Sequence, residues 1–207
     1  MNKSLQFPIS DHDIQSLHVG DSVFLSGVII TGRDAVHKWL ADTFINNKRS
    51  ATENDVEIYE AILPILNGGA IYHCGPVVGG LATRDYRFVA AGPTTSIREE
   101  PYQAAVMRHF NMKGVIGKGG MAGNTLKACQ EVPAVYFHAI GGAASLIART
   151  VLHVLGVHKL EFGVPEAIWV IEVKDFPAVV TMDAHGVSLH DAVRQHSQAI
   201  LEKLLNS

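Results

Sequence analysis

The chain has 207 residues, of which 47% are hydrophobic and 18% are charged, and its formal net charge is -3. This composition indicates one globular domain over residues 1–207 and excludes a largely disordered chain. There is no basic stripe and no long uninterrupted apolar run, so neither nucleic acid nor a membrane is expected as a partner. Cys74 and Cys129 lie far apart without a pairing pattern, and no signal-peptide pattern opens the chain. We therefore expect a cytoplasmic protein.

Apolar β-branched runs alternate with helical periodicity along the first two thirds of the chain. In chain order they predict a strand over 23–30, a helix over 34–45, strands over 70–73 and 87–91, a helix over 99–112, a short strand at 115–116, a helix over 125–131 and a strand over 134–140. The polar segment 46–57 is predicted to be an exposed connection or a short extra helix, and it is the favoured place for an insertion.

The last third of the chain continues the alternation. It predicts a helix over 143–155, two strands over 167–173 and 178–183 around a turn at 174–177, and a closing helix from a Ser188 cap through Leu205. The inner side of that closing helix is expected to carry Ala192, Ile200 and Leu204. Because strands and helices alternate and some strands are directly consecutive, the pattern favours a layered α/β fold with a mixed sheet.

A hydroxyl-rich segment, GPTTSIR at 92–98, is the first candidate for a functional role. Thr94 and Arg98 place a hydroxyl and a guanidinium four residues apart, and these groups suit a small dianionic substrate. Alternatively, Thr95 or Ser96 caps the helix that follows. The two roles are compatible, since Ser96 can cap the helix while Thr94 and Arg98 face a ligand.

The glycine-rich segment GKGGMAG at 117–123 lies between a predicted strand and a predicted helix. Such a turn exposes backbone N–H groups to an anion, but glycines there also serve a tight turn, and both roles stay open. It is not a P-loop, because Gly119 follows Lys118 where Ser or Thr is required. A dinucleotide site is disfavoured as well, because no acidic residue closes the strand predicted over 134–140.

A third cluster contains Arg33, Asp34 and His37. Arg33 stands at a strand end, which is a usual place for a binding residue in α/β folds. Asp34 is favoured as a helix cap, with His37 one turn later as its partner. The chain has eleven histidines, but no zinc-site spacing and no GxSxG segment. We therefore predict no metal ligands here and disfavour a serine hydrolase.

Six motifs in order resemble one known family over about residues 20–190. They are GRDAVH (32–37), HCGP (73–76), GPTTSIR (92–98), GKGGM (117–121), the segment at 163–169 that follows Phe162, and DAHG (183–186). The chain resembles the β subunit of class I fumarases and L-tartrate dehydratases, and equally the C-terminal domain of single-chain class I fumarases. The likeness is poorest over 46–57, and Cys74 replaces an alanine of some relatives.

This resemblance implies a hydro-lyase with a swivelling β/β/α fold. Its expected reaction is the reversible hydration of a four-carbon dicarboxylate, with fumarate to malate, a step of the tricarboxylic acid cycle, favoured over tartrate to oxaloacetate. The family uses a four-iron four-sulfur cluster with three cysteine ligands on the α subunit or N-terminal domain, which implies an α subunit as partner and two copies of each chain.

The resemblance also implies roles for individual residues. Thr94 falls on the catalytic base, and the substrate is bound by Arg33, Arg98 and Lys118. Supporting roles are implied for Thr95, Gly119, Asp34 and His37. Two other classes of function remain as alternatives: a non-catalytic ligand-binding or assembly module with the same fold, and a nucleotide-binding oxidoreductase domain.

Overall fold

A computed structural model describes residues 3–206 of the chain. In this part of the chain the strands are β1 (Lys3–Gln6), β2 (Ser22–Thr31), β3 (Ala70–Tyr72), β4 (Val77–Gly79), β5 (Arg87–Ala90), β6 (Gly114–Gly117), β7 (Val135–His138), β8 (Val151–His158) and β9 (Ile168–Met182). The α-helices are α1 (Asp11–Gln15), α2 (Asp34–Leu40), α3 (Glu53–Leu66), α4 (Glu100–Phe110), α5 (Gly123–Glu131), α6 (Ala144–Ala148) and α7 (Leu189–Leu205). A π-helical turn (Ala41–Ile45) extends α2, and 3₁₀ turns precede α4 (Ser96–Glu99) and follow β8 (Leu160–Phe162).

The main sheet runs in the order β1-β2-β3-β6-β7-β9-β8, and β9 also pairs with β2. The pairings from β1 through β7 are parallel, whereas β9 is antiparallel to β2, β7 and β8. Strands β2, β3, β6, β7 and β9 therefore form a closed ring of neighbours. The predicted α/β fold with a mixed sheet is confirmed.

Successive residues of the ring strands point to opposite faces, and both faces are buried. One apolar cluster takes Ile29, Tyr72, Ile116, Phe137 and Trp169. The other takes the residues next to these, namely Ile30, Ile71, Val115, Tyr136 and Val170, and packs against α2, α3, α4 and α5. Burial on both faces explains why these strands read as continuous apolar runs in the sequence.

The helix predicted over 143–155 is wrong beyond its first part. Helix α6 ends at Ala148, and Thr150 closes it by donating from its hydroxyl to the Ile147 carbonyl at 2.7 Å. The chain then forms β8, which pairs antiparallel with β9. The β-branched residues of β8 favour a strand, and β9 provides its backbone hydrogen-bond partners. The sequence pattern alone does not predict this pairing.

The two strands predicted over 167–173 and 178–183 are one continuous strand, β9, so the predicted turn at 174–177 is wrong. The turn residues instead produce an irregularity: Asp175 has φ 53°, and the register with β2 shifts between Leu25 and Gly27. Asp175 N donates to the Ser26 hydroxyl at 3.0 Å. The residues that predicted a turn therefore form a bulge, which bends the strand without reversing its direction.

Helix α7 begins after Ser188 as predicted, with the Ser188 hydroxyl accepting from Asp191 N at 3.3 Å. The predicted inner side is wrong, because no residue of α7 is buried. Ile200 is 46% exposed and Leu204 is 69% exposed. Within residues 3–206 the helix packs mainly against β9, and the large apolar residues on it are exposed. No helix within residues 3–206 has the length and apolar character to cross a membrane.

The segment predicted as a polar connection, 46–57, ends inside α3, which begins with a capping box between Thr52 and Asp55. Asp55 is fully buried and accepts hydrogen bonds from Trp39 Nε1 at 2.9 Å, from Arg49 Nη2 at 2.7 Å and from Lys159 Nζ. This carboxylate therefore joins α2, α3 and the chain after β8. Most other residues of the segment are exposed, as predicted for a polar connection, and Asp55 is its buried exception.

We expect Asp55→Ala to lower the free energy of unfolding by about 3–5 kcal/mol, because the buried Lys159 ammonium loses its closest carboxylate. Although burial opposes ionisation, hydrogen bonds from Lys159, Thr52 and Trp39 hold the pKa of Asp55 well below its usual value. This contribution is therefore complete above the unfolded pKa of 3.8 and is lost as the pH falls toward the folded pKa.

Urea unfolding at pH 7 and pH 3 measures both effects. The control Glu131→Ala removes a half-exposed pair with Arg108 and should cost no more than about 1 kcal/mol. An Asp55→Ala loss as small as that of the control would contradict the role of Asp55.

Candidate active site

The candidate residues follow parallel strands that end at the same edge of the sheet. Arg33 comes after β2, and Lys118 comes directly after β6. The parallel registers pair Thr31 with Tyr72 and Tyr72 with Ile116, so these carboxyl ends are level. Ligands of open α/β sheets bind beyond the carboxyl ends of strands, and the chain places its predicted cations there.

The segment that contains Thr94 crosses this edge and is held by backbone hydrogen bonds. Thr94 N donates to the His73 carbonyl at 2.7 Å, and Lys118 N donates to the Thr94 carbonyl at 3.3 Å. Ser96 N donates to the Lys118 carbonyl at 3.0 Å, and Thr95 forms a parallel bridge with Lys118. These bonds bring the backbones of 94–96 and 118 together without using the Thr94 side chain. Thr94 Oγ1 is buried and has no hydrogen-bond partner within residues 3–206.

Arg33 is oriented by Glu166. Arg33 Nη1 is 3.0 Å from Glu166 Oε1, and Glu166 Oε2 accepts from Ala35 N at 3.3 Å. A Cβ atom at Gly75 would lie 2.7 Å from Arg33 Nη1, so the glycine leaves room for the guanidinium. Arg33 Nε is buried without a partner in the described chain. One donor of this cation therefore stays available.

Arg98 is half-exposed and faces Asp34, with 3.5 Å between Arg98 Nη2 and Asp34 Oδ1. The next residue, Glu99, is fully buried, and neither of its carboxyl oxygens accepts a hydrogen bond from residues 3–206. Burial and the neighbouring Asp34 raise the pKa of Glu99 to about 8. Burial opposes the ionisation of Asp34, but hydrogen bonding with Glu99 and the charges of Arg98 and Arg33 lower its pKa.

His37 does not pair with Asp34 as predicted. Its Nδ1 lies 3.0 Å from the Arg33 carbonyl, and the Gln103 amide lies 2.9 Å from Nε2 of both His37 and His73. His73 Nδ1 is 2.8 Å from Ser96 Oγ. Burial lowers the pKa of both histidines, which keeps them neutral. His37 therefore connects the Arg33 backbone to Gln103.

Asp34 is also not the helix cap. Arg33 occupies the N-cap of α2 without a side-chain cap bond, and Asp34 begins the helix. Likewise, neither Thr95 nor Ser96 caps by its side chain: the turn after Thr95 has no side-chain cap bond, and Ser96 Oγ lies 2.8 Å from Tyr136 OH. Asp34, Thr95 and Ser96 therefore do not act as the helix caps that the sequence predicted.

The glycines of the 117–123 turn meet steric demands. A Cβ atom at Gly117 would lie 1.9 Å from Ser96 Oγ, and one at Gly120 would lie 2.3 Å from the His190 ring. Gly119 and Gly120 also have positive φ values, 79° and 75°. The tight turn therefore requires glycine for packing, and it delivers Lys118 beside Thr94.

Glu100 was missed by the sequence reasoning. Its carboxylate accepts from Ala122 N at 2.8 Å, Asn124 N at 3.0 Å and Thr125 Oγ1 at 2.7 Å. It therefore caps α5 from the start of α4 and ties the glycine turn to the Thr94 segment. The visible signal was an acidic residue at a helix start, which the sequence explains equally well by the helix dipole.

The two thiols are unsuited to metal binding. Cys74 and Cys129 are both fully buried, and burial raises the pKa of each to about 12, so both stay protonated. Within residues 3–206 no group of three or more His, Cys, Asp or Glu side chains is arranged to hold a metal ion. These side chains therefore do not fit an iron–sulfur cluster.

Comparison with known proteins agrees with the resemblance seen in the motifs. The profile of the family described as Fumarase C-terminus matches residues 2–193. The chain is 49% identical over 201 residues to a Geobacillus stearothermophilus protein named "Putative fumarate hydratase class I". That match covers 97% of this chain but 35% of the relative, so the chain spans about a third of that protein's length.

Two further relatives have lengths closer to that of this chain. The L(+)-tartrate dehydratase subunit beta of Escherichia coli K12 is 36% identical, with 91% of this chain and 87% of the relative covered. A Methanocaldococcus jannaschii protein named "Putative L(+)-tartrate dehydratase subunit beta" is 34% identical, with 95% of both chains covered. The matched span and these identities show that the chain belongs to the Fumarase C-terminus family.

Proposed function

We propose that this chain is the β subunit of a two-chain hydro-lyase that reversibly hydrates a four-carbon dicarboxylate, with fumarate to malate as the favoured reaction. The observation that carries this proposal is the gathering of Arg33, Arg98, Lys118 and the unpartnered Thr94 hydroxyl at one sheet edge. A relative named as a fumarate hydratase, at 49% identity, supports the choice of substrate.

The conversion of L-tartrate to oxaloacetate is the second candidate. The Escherichia coli tartrate dehydratase β subunit aligns over 87% of its own length, so it shares the separate-chain organisation that we propose here. Both substrates are four-carbon dicarboxylates, and the same cationic groups would serve either one.

In this proposal the cations bind the two substrate carboxylates. The half-exposed Arg98 offers a planar fork to one carboxylate, since its contact with Asp34 is long. Lys118 supplies a compact charge next to Thr94, and Arg33, held by Glu166, adds a second guanidinium. Their combined charge also favours the dianionic state formed when the substrate carbon loses its proton.

Thr94 is the proposed base, acting through Oγ1. A threonine hydroxyl is a very weak acid in water, so it serves only where nearby cations and exclusion of water favour its ionised form. Backbone hydrogen bonds join the Thr94 segment to Lys118, which supports a cation near this hydroxyl. Because Thr94 Oγ1 has no hydrogen-bond partner within residues 3–206, we place the substrate next to this atom. Thr95 and Gly119 support the turn around it.

A companion α subunit completes the proposed enzyme. The described residues hold no ligand set for a metal, so we assign the four-iron four-sulfur cluster to the α subunit, with two copies of each chain in the assembly. We further propose that residues 1–207 act as one domain, which the closed ring of strands supports, and that the protein is cytoplasmic, which its unpaired thiols support.

Anaerobic reconstitution tests the proposal. The chain is purified alone and together with a candidate α subunit that carries at least three cysteines, and both samples are assayed on fumarate, malate, both tartrates and methylated fumarates. We expect turnover only in the complex, with fumarate and malate as the best substrates. A complex that forms but turns over none of these compounds would favour the ligand-binding or assembly module instead.

A further inference from the structure

The pair of acids beside Arg98 is not explained by the proposed chemistry. Glu99 ends the 3₁₀ turn that begins at Ser96, and its side chain is fully buried although Arg98 before it is half-exposed. No N–H or hydroxyl group within residues 3–206 bonds to either Glu99 oxygen or to the buried Oδ1 atom of Asp34, which lies 3.5 Å from Arg98 Nη2. Glu99 and Asp34 instead face each other as a pair of carboxyl groups. A buried carboxyl whose partner is another carboxyl requires an explanation.

The neighbouring charges show how this pair is balanced. Asp34 faces Glu99 from α2, Arg98 faces it from its own turn, and Tyr136 of β7 feels the charge of Glu99. Arg33 adds a positive charge on the Asp34 side. Two carboxylates in contact cannot both ionise without a large penalty, so the pair retains one proton near neutral pH.

We propose that Glu99 is a positioning residue: it shares a proton with Asp34 and thereby orients the Arg98 guanidinium toward a substrate carboxylate. The inference rests on the proposed function of Arg98. Neutral Glu99 donates to Asp34, which fixes the Asp34 carboxylate, and this carboxylate orients the guanidinium at 3.5 Å. Ionised Glu99 repels Asp34 and adds a negative charge next to the place where a dianion binds.

The shared proton predicts a pH dependence of substrate binding. Glu99 has its pKa raised to about 8, first by burial and then by Asp34. If only the protonated pair binds well, the competent fraction falls about tenfold between pH 7 and pH 9, and KM for the dicarboxylate rises by about the same factor. We expect kcat to change much less over this range, because Glu99 does not touch the reacting atoms.

Glu99→Gln tests this in the α–β complex. A glutamine amide donates to Asp34 at every pH, so KM of the variant should stay within about twofold from pH 7 to pH 9. Glu99→Ala removes the donor and should raise KM at both pH values. Glu131→Gln, a surface change, should keep the wild-type profile. Equal KM profiles in wild type and Glu99→Gln would overturn the proposal.

A second readout does not need turnover. In the full-length chain, a carboxyl ¹³C resonance that is absent from Glu99→Gln should titrate near pH 8, and the Arg98 Nε resonance should shift with the same midpoint. The Arg98 shift should be absent from the variant. The positioning role is overturned, even in an active enzyme, if the Glu99 carboxyl titrates near its usual pKa of 4.5. It is also overturned if the Arg98 Nε resonance does not shift when Glu99 titrates. Coupled titration in a chain without hydro-lyase activity would support the acid pair and contradict only the proposed reaction.

Discussion

Replacing Thr94 with alanine should lower kcat of the α–β complex by about 10²–10⁴-fold, the range found for the loss of a positioned proton-transfer group. The fold should be unaffected, because the Thr94 side-chain oxygen bonds to nothing within residues 3–206, and its backbone bonds to His73 and Lys118 do not depend on the side chain. The measurement is steady-state turnover of malate and fumarate under anaerobic conditions, together with the thermal unfolding midpoint.

Thr95→Ala is the matched control. Thr95 also carries a hydroxyl, but it is exposed, and its methyl group lies near Gly119. We expect near-normal kcat for this variant. Thr94→Ser keeps a hydroxyl at the same position and should recover much of the lost activity. A Thr94→Ala complex that turns over at close to the wild-type rate would remove Thr94 from the mechanism.

Arg98→Lys should cost about 2–4 kcal/mol of transition-state stabilisation, which corresponds to about 30–1,000-fold in kcat/KM. Lysine keeps the charge but loses the planar fork that binds a carboxylate through two hydrogen bonds. The loss therefore reports on geometry and not on net charge. Comparison of kcat/KM with succinate inhibition separates lost binding of a dicarboxylate from lost transition-state stabilisation.

Arg108→Lys provides the control for this change. Arg108 pairs with Glu131 on the surface, at 2.6 Å between Nε and Oε2, away from the candidate site. Its replacement by lysine should leave kcat/KM unchanged. If Arg98→Lys behaves like this control, the assignment of Arg98 to the carboxylate clamp is wrong.

The sequence predicted the structure best where the local pattern of residues and the tertiary packing favour the same element. Residues 23–30 read as a strand because both of their faces are apolar, and β2 contains them all. Arg33 and Lys118 were placed correctly at strand ends, because a residue after a buried strand must emerge at the edge of the sheet. Sequence reasoning did not find β1 or α1, since each is short and carries few apolar residues.

The errors occurred where tertiary partners decide between two local patterns. The sequence of 143–155 is compatible with a helix, but its second half forms β8 because β9 provides backbone hydrogen-bond partners for a strand. The burial of Glu99 could not be read from its neighbours, because Arg98 before it is half-exposed. The apolar positions of α7 predicted an inner side, yet periodicity shows only that a face exists, and not what covers it.

Strand β9 has a consequence for the order in which the chain acquires its structure. Its residues 170–179 pair with β2 and its residues 179–182 with β7, so the ring stays open until this late strand is in place. The pairing of Ser22 with Val179 joins segments that are separated by most of the polypeptide. Such distant contacts slow folding, because a long loop must be closed before they form. During synthesis, the strands before Ile168 leave the ribosome with an unsatisfied sheet edge, and we expect folding of this domain to finish only after β9 has emerged.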